Sequence, residues 1–94
     1  MKPQPLNLSV EVTIQNRKGL HARPTAKIVK LAESFSSHIE LSHNNLNVSA
    51  KSIMGILMLG VRYGSTVIIK AEGSDAEIAL IEIERLINSK FGED

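Results

Sequence analysis

The alternation of apolar and polar residues predicts four strands. Residues 8–14 place Leu, Val, Val and Ile at every second position, a period of two that indicates a strand with one buried face. Shorter runs of the same kind predict strands at 38–42 and 46–50, joined by a tight turn at Asn44 and Asn45, because asparagine tolerates positive φ. The β-branched run 66–71 predicts a fourth strand.

Two further stretches follow a helical period instead. The first runs from Ala22 to about Phe35, with Pro24 in its first turn, where a missing N–H costs little. Its predicted buried face comprises Ala22, Ala26, Val29 and Ala32, widened by Ile28, Leu31 and Phe35. The second is a short apolar helix over 53–59, with Ser52 as N-cap and Gly60 as its stop.

A third, longer helix follows the last strand. Ser74 and Glu77 match a capping box that would open it. Its predicted buried face comprises Ala76, Ala79, Leu80, Ile83, Leu86 and Ile87. The ending, residues 91–94, is expected to be polar and frayed, and residues 1–6, with two prolines, a loose leader.

The order strand, helix, strand, strand, helix, strand, helix predicts a two-layer α+β fold. Ninety-four residues fit one domain, 1–94, and four strands with one apolar face need helices to cover that face. Periodicity alone leaves the order of the strands within the sheet open.

Composition narrows the classes of function. No cysteine is present, and no apolar run approaches the ~20 residues of a membrane span, so we expect a cytoplasmic protein without disulfides or a signal peptide. A formal net charge of +1 gives no bulk attraction to nucleic acid or membrane lipid. One tyrosine and two phenylalanines offer few platforms for base stacking.

His21 and Arg23 are the candidate chemical residues, at the predicted start of the first helix. A helix start has unpaired N–H groups and partial positive charge, which together suit a phosphate. The unperturbed pKa of histidine is roughly 6.5, and its neutral ring is a nucleophile. The guanidinium of Arg23 offers planar donors for phosphate oxygens. A histidine that merely caps the helix and an ordinary exposed arginine are the alternatives.

Two segments of the chain resemble two motifs of one family. They are residues 19–24, Gly-Leu-His-Ala-Arg-Pro, and residues 51–60, Lys-Ser-Ile-Met-Gly-Ile-Leu-Met-Leu-Gly. This family is the histidine-containing phosphocarrier proteins (HPr) of the bacterial phosphotransferase system, and the resemblance runs from about Leu8 to Phe91. It implies an open-faced sandwich: an antiparallel sheet in the order first, fourth, second, third, with three helices on one face. It also implies a monomeric phosphocarrier, not an enzyme, without cofactor or metal. The sugar branch and the nitrogen-related branch (NPr) both stay open.

The resemblance further implies roles for named residues and partners. His21 would accept a phosphoryl group on Nδ1 from Enzyme I and pass it to an Enzyme IIA-type acceptor, with Arg23 as a phosphate clamp. Ser52 would be the target of a regulatory HPr kinase/phosphorylase, an interpretation compatible with its role as N-cap. Leu20, Ile53 and Met54 are candidates for partner docking.

Two other functions stay open for this sequence. A regulatory binding module could use the same fold and act through Ser52, and a small-molecule-binding domain would need a concave apolar pocket. We expect core packing for most apolar residues in 56–59. His38 and His43 are interpreted as surface histidines instead of metal ligands.

Overall fold

The computed structural model describes residues 6–93 and consists of four strands, three α-helices and a terminal 3₁₀ turn. In chain order these are β1 (Leu6–Thr13), α1 (Ala22–Ala32), β2 (His38–His43), β3 (Leu46–Ser49), α2 (Ile53–Met58), β4 (Thr66–Gly73), α3 (Ala76–Asn88) and the 3₁₀ turn Lys90–Gly92. The predicted element order and the α+β class are confirmed.

The strands form one antiparallel sheet in the order β1-β4-β2-β3, as the family resemblance implied. In the register, Ile69 of β4 lies between Val10 of β1 and Leu41 of β2, and Leu41 in turn faces Val48 of β3. These apolar residues therefore share one face of the sheet, because side chains alternate between faces along each strand. Asn44 and Asn45 have φ values of 51° and 66°, which confirms the predicted turn between β2 and β3.

One core lies between the sheet and its helices. Its fully buried large side chains include Ile14, Ile28, Ile39, Leu41, Ile56, Ile69, Ile83, Ile87 and Phe91. Within residues 6–93, no helix is long and apolar enough to cross a membrane.

The first helix differs from its predicted extent and orientation. It ends at Ala32, about three residues before Phe35, with Glu33 as its C-cap. Ala22 and Ala26 are exposed, whereas Pro24 and Thr25 are buried. The hydroxyl of Thr25 donates to the Leu20 carbonyl at 3.2 Å, so its burial leaves the polar group satisfied.

The predicted capping box of α3 is wrong. Asp75, not Ser74, is the N-cap, and its carboxylate makes no cap hydrogen bond to the helix. It accepts instead from the backbone N–H groups and hydroxyls of Ser36 and Ser37, in the segment between α1 and β2. The predicted buried face of α3 is otherwise confirmed, except that Leu86 is half-buried.

Both predictions for the chain ends need correction. Leu6, assigned to the leader, pairs with Gly73 in the sheet, while residues 1–5 lie outside the described residues. Phe91, assigned to a frayed ending, is 1% exposed and packs in the core. The 3₁₀ turn around Phe91 lies against α1, where Lys27 donates to the Phe91 carbonyl.

Candidate functional site

The loop between β1 and α1 has a shape that requires glycine at position 19. Gly19 has φ +64°, and a Cβ there would lie 2.5 Å from the Val61 carbonyl oxygen and 2.9 Å from the Arg62 Cα. The next residue, Leu20, donates its backbone N–H to the same Val61 carbonyl at 3.0 Å. These contacts pin the residues before His21 against the segment that follows α2.

His21 is the N-cap residue of α1, with extended backbone (φ −80°, ψ −169°). Its side chain makes no cap hydrogen bond, so the alternative of a purely capping histidine is not supported by the geometry. The first α-helical hydrogen bond runs from the Thr25 N–H to the His21 carbonyl at 3.1 Å, and Pro24 has no N–H. The N–H groups of Ala22 and Arg23 therefore precede the first hydrogen-bonded donor of the helix, next to an imidazole that is 34% exposed.

Glu93 contacts the ring directly, and the sequence reasoning missed it. Its Oε1 lies 2.9 Å from His21 Nε2 and also accepts from Asn16 Nδ2 at 3.0 Å. These hydrogen bonds, His21 foremost, and the nearby charge of Arg23 lower the pKa of the Glu93 carboxyl despite its partial desolvation. The one available signal was Phe91, a large apolar residue two positions before an acidic one in a supposedly polar ending.

Asn16 is fully buried beneath this contact. Its Nδ2 donates to the Gly19 carbonyl at 2.6 Å as well as to Glu93, so one amide links the loop before His21 to the end of the chain. Among residues 6–93, no hydrogen-bond donor reaches its Oδ1.

An open depression of about 820 Å³ surrounds the exposed side of the ring. Three cationic residues and one acidic residue contribute to its lining, which comprises Arg17, Lys18, His21, Ala22, Arg23 and Glu93. Arg23 lines the same depression as His21, and its role as a phosphate clamp stays a prediction. The site is thus an accessible imidazole at a helix start, in a surface that suits an anion.

The other histidines lie elsewhere. His38 Nε2 contacts Glu40 at 2.8 Å, and His43 Nδ1 contacts the Thr66 carbonyl at 3.0 Å. In the part of the chain that the structure describes, no three potential ligands cluster as a metal site would require.

The second motif forms α2 and its cap. Ser52 Oγ accepts from the Gly55 N–H at 3.0 Å, which confirms the predicted N-cap, and Gly60 has φ +63° at the helix end. Ile53 and Met54 are exposed, at 44% and 67%. The core packing expected over 56–59 holds for Ile56 and Leu59 and is wrong for Leu57 and Met58, which are also exposed.

Leu20 has to be withdrawn from the candidate docking residues. It is 4% exposed and packs in the core, so it offers a partner almost no surface. The apolar candidates that remain are on α2, whose following segment contacts the loop before His21.

A protein-family model described as "PTS HPr component phosphorylation site" matches residues 8–89. The chain belongs to the HPr family. A curated HPr of Cupriavidus necator is 44% identical over 92% of this chain and 97% of its own length. A curated phosphocarrier protein NPr of Shewanella violacea is 40% identical over 92% of this chain and 94% of its own. A crystal structure of HPr from Thermoanaerobacter tengcongensis superposes with a TM-score of 0.89 at 49% identity, covering 93% of this chain and 98% of that one.

HPr proteins are phosphocarriers of the phosphotransferase system, so a phosphocarrier role follows for this chain. Relatives of both branches, HPr and NPr, match it over nearly their whole length.

Proposed function

We propose that the protein accepts a phosphoryl group on Nδ1 of His21 from Enzyme I and passes it to an Enzyme IIA-type acceptor in the cytoplasm. The observation that carries the proposal is the position of His21: an accessible ring at the start of α1, beside backbone N–H groups that the helix leaves without a partner. A histidine in that position can act as a nucleophile and then keep its new anionic group near matching donors.

Arg23 is proposed as the clamp for the transferred group. It follows His21 by two residues and lines the same cationic depression. A guanidinium offers paired donors to phosphate oxygens, and its charge also favours the approach of an anionic donor.

Ile53 and Met54 are proposed to dock the donor and the acceptor in turn. They are exposed apolar side chains on one short helix, and methionine adapts its shape to different surfaces. A carrier must leave each partner quickly, so a small interface of this kind fits the role.

Ser52 is proposed as a regulatory phosphorylation site for an HPr kinase/phosphorylase. It starts α2 directly before Ile53, so a phosphate there would add about two negative charges at the edge of the docking surface. A regulatory module that acts through Ser52 alone is the competing function.

The test is phosphoryl transfer in a defined mixture of phosphoenolpyruvate, Enzyme I and the protein, followed by intact mass measurement. Wild type should gain one phosphoryl group, His21→Ala none, and Arg23→Ala should gain it more slowly. His38→Ala is the matched control, since His38 lies on a strand away from the site, and it should behave as wild type. A His21→Ala protein that is phosphorylated at the wild-type rate would overturn the proposal, as would a wild type that accepts nothing.

A further inference from the structure

Glu93 hydrogen-bonds one of the two nitrogens of the His21 ring. Oε1 lies 2.9 Å from Nε2, and among residues 6–93 no group hydrogen-bonds Nδ1. A carboxylate can only accept, so the ring must carry its proton on Nε2 to make this contact. In the neutral ring the lone pair is then on Nδ1.

The carboxylate is itself held in place from two sides. Asn16 Nδ2 donates to the same Oε1 at 3.0 Å, and Asn16 is fully buried. Two residues before Glu93, Phe91 packs in the core, and Lys27 of α1 donates to its carbonyl. The Glu93 side chain is only 19% exposed, so its contact with His21 belongs to a packed end of the chain.

The charges around this pair favour an ionised Glu93. Arg17, Lys18 and Arg23 line the same depression, and the pKa of the Glu93 carboxyl lies below its ordinary value. At neutral pH the His21 ring therefore faces a carboxylate on its Nε2 side and cationic side chains around its open side.

We propose that Glu93 is a positioning residue that fixes the proton of His21 on Nε2 and so makes Nδ1 the atom that accepts and releases the phosphoryl group. The inference rests on the proposed function and adds a residue to it. Glu93 acts through His21 and touches no transferred group.

The step balances without moving the ring proton. The Nδ1 lone pair forms a bond to phosphorus while the bond from phosphorus to the donor atom breaks, and that electron pair leaves with the donor. The product ring has a phosphoryl group on Nδ1 and a proton on Nε2, and is formally an imidazolium. The Glu93 carboxylate, which already accepts from Nε2, compensates this positive charge. Transfer to the acceptor reverses these changes and restores the same neutral tautomer.

The experiment compares full-length wild type, Glu93→Gln and Glu93→Ala, with Glu11→Gln as control, because Glu11 is an exposed carboxylate on a β1 strand outside the site. Far-UV circular dichroism first establishes that each variant is folded. Ring ¹⁵N chemical shifts of His21 then report the tautomer without any phosphoryl transfer. We expect wild type and Glu11→Gln to hold the proton on Nε2, and Glu93→Ala to show an increased Nδ1–H population.

Phosphoryl transfer is the second measurement. Loss of the carboxylate should slow phosphorylation by Enzyme I roughly 10- to 100-fold, the size of effect seen when a metal-ligating histidine loses the partner that orients it. Glu93→Gln can still accept from Nε2 but lacks the charge, so it should keep the wild-type tautomer and recover only part of the rate. ³¹P–¹⁵N coupling should place the phosphoryl group on Nδ1 in wild type and on a mixture of nitrogens in Glu93→Ala.

The two ideas fail in different ways. A wild type that is never phosphorylated overturns the proposed function, whatever the tautomer. Two results would overturn the role of Glu93 alone. One is a wild type that accepts the phosphoryl group although its unphosphorylated ring has the proton on Nδ1. The other is a folded Glu93→Ala variant with unchanged tautomer and unchanged transfer rate.

Discussion

Single residues at the site are explained by what surrounds their backbone. Gly19 is required because its φ is positive and because the Val61 carbonyl occupies the space of a Cβ. The histidine two positions later is then delivered with extended backbone to the start of α1. The residue type and neighbours of His21 made it the candidate site in the sequence. The approach of Val61 depends on tertiary packing and could not be predicted from the motif.

Gly60 offers a matched comparison for Gly19, since both have φ near +64° and only Gly19 is crowded. Gly60→Ala should lower the free energy of unfolding by about 1–2 kcal/mol, the cost of a left-handed residue with a side chain. Gly19→Ala should lose several times as much, because the backbone around Val61 must also move. Urea unfolding of the two variants measures both values. Equal losses would show that the close contact with Val61 contributes nothing.

At the scale of elements, the helix starts show where local sequence rules succeed. Ser52 caps α2 as predicted, because the cap requires only residues within one turn. Asp75 precedes α3 and yet directs its carboxylate to Ser36 and Ser37, which are 39 and 38 residues away in sequence. A local rule cannot see these distant donors, and for the same reason it missed the contact between Glu93 and His21.

Two substitutions at Ser52 separate its cap from its proposed regulation. Ser52→Ala removes the acceptor for the Gly55 N–H and should reduce the free energy of unfolding by about 1 kcal/mol, with little effect on transfer. Ser52→Asp keeps a good cap and adds a negative charge, so it should be as stable as wild type and slower with Enzyme I. Urea unfolding and the transfer assay measure the two effects. If Ser52→Asp transfers at the wild-type rate, charge at this position does not regulate docking.

At the scale of the whole molecule, the strands and helices follow from periodicity, whereas the side-chain contacts between segments distant in sequence do not. The strands and the buried face of α3 were predictable because buried residues recur at every second position in a strand and at the helical period in a helix. The strand order came from the family resemblance, since periodicity carries no information on which strands are neighbours. The prediction for residues 91–94 was wrong because Phe91 is a single buried residue that belongs to no periodic pattern of apolar positions.

The contact of Asp75 with Ser36 and Ser37 links two such distant segments, and it should make the free energy of unfolding depend on pH in the acid range. Hydrogen bonds from the side chain and backbone of Ser37 and Ser36 lower the pKa of Asp75 from 3.8 to about 2. A carboxyl whose pKa falls on folding stabilises the protein above its unfolded pKa, and this contribution disappears as the pH drops through the folded value. We therefore expect Asp75→Asn to be less stable than wild type at pH 7, and the difference to shrink between about pH 5 and pH 2. The measurement is urea unfolding of both proteins across that range.

Glu93→Gln serves as a second reference, because the pKa of Glu93 is also lowered and contributes in the same direction. A difference between wild type and Asp75→Asn that is constant with pH would mean that the ionised form of Asp75 is not what holds the start of α3 to the segment before β2.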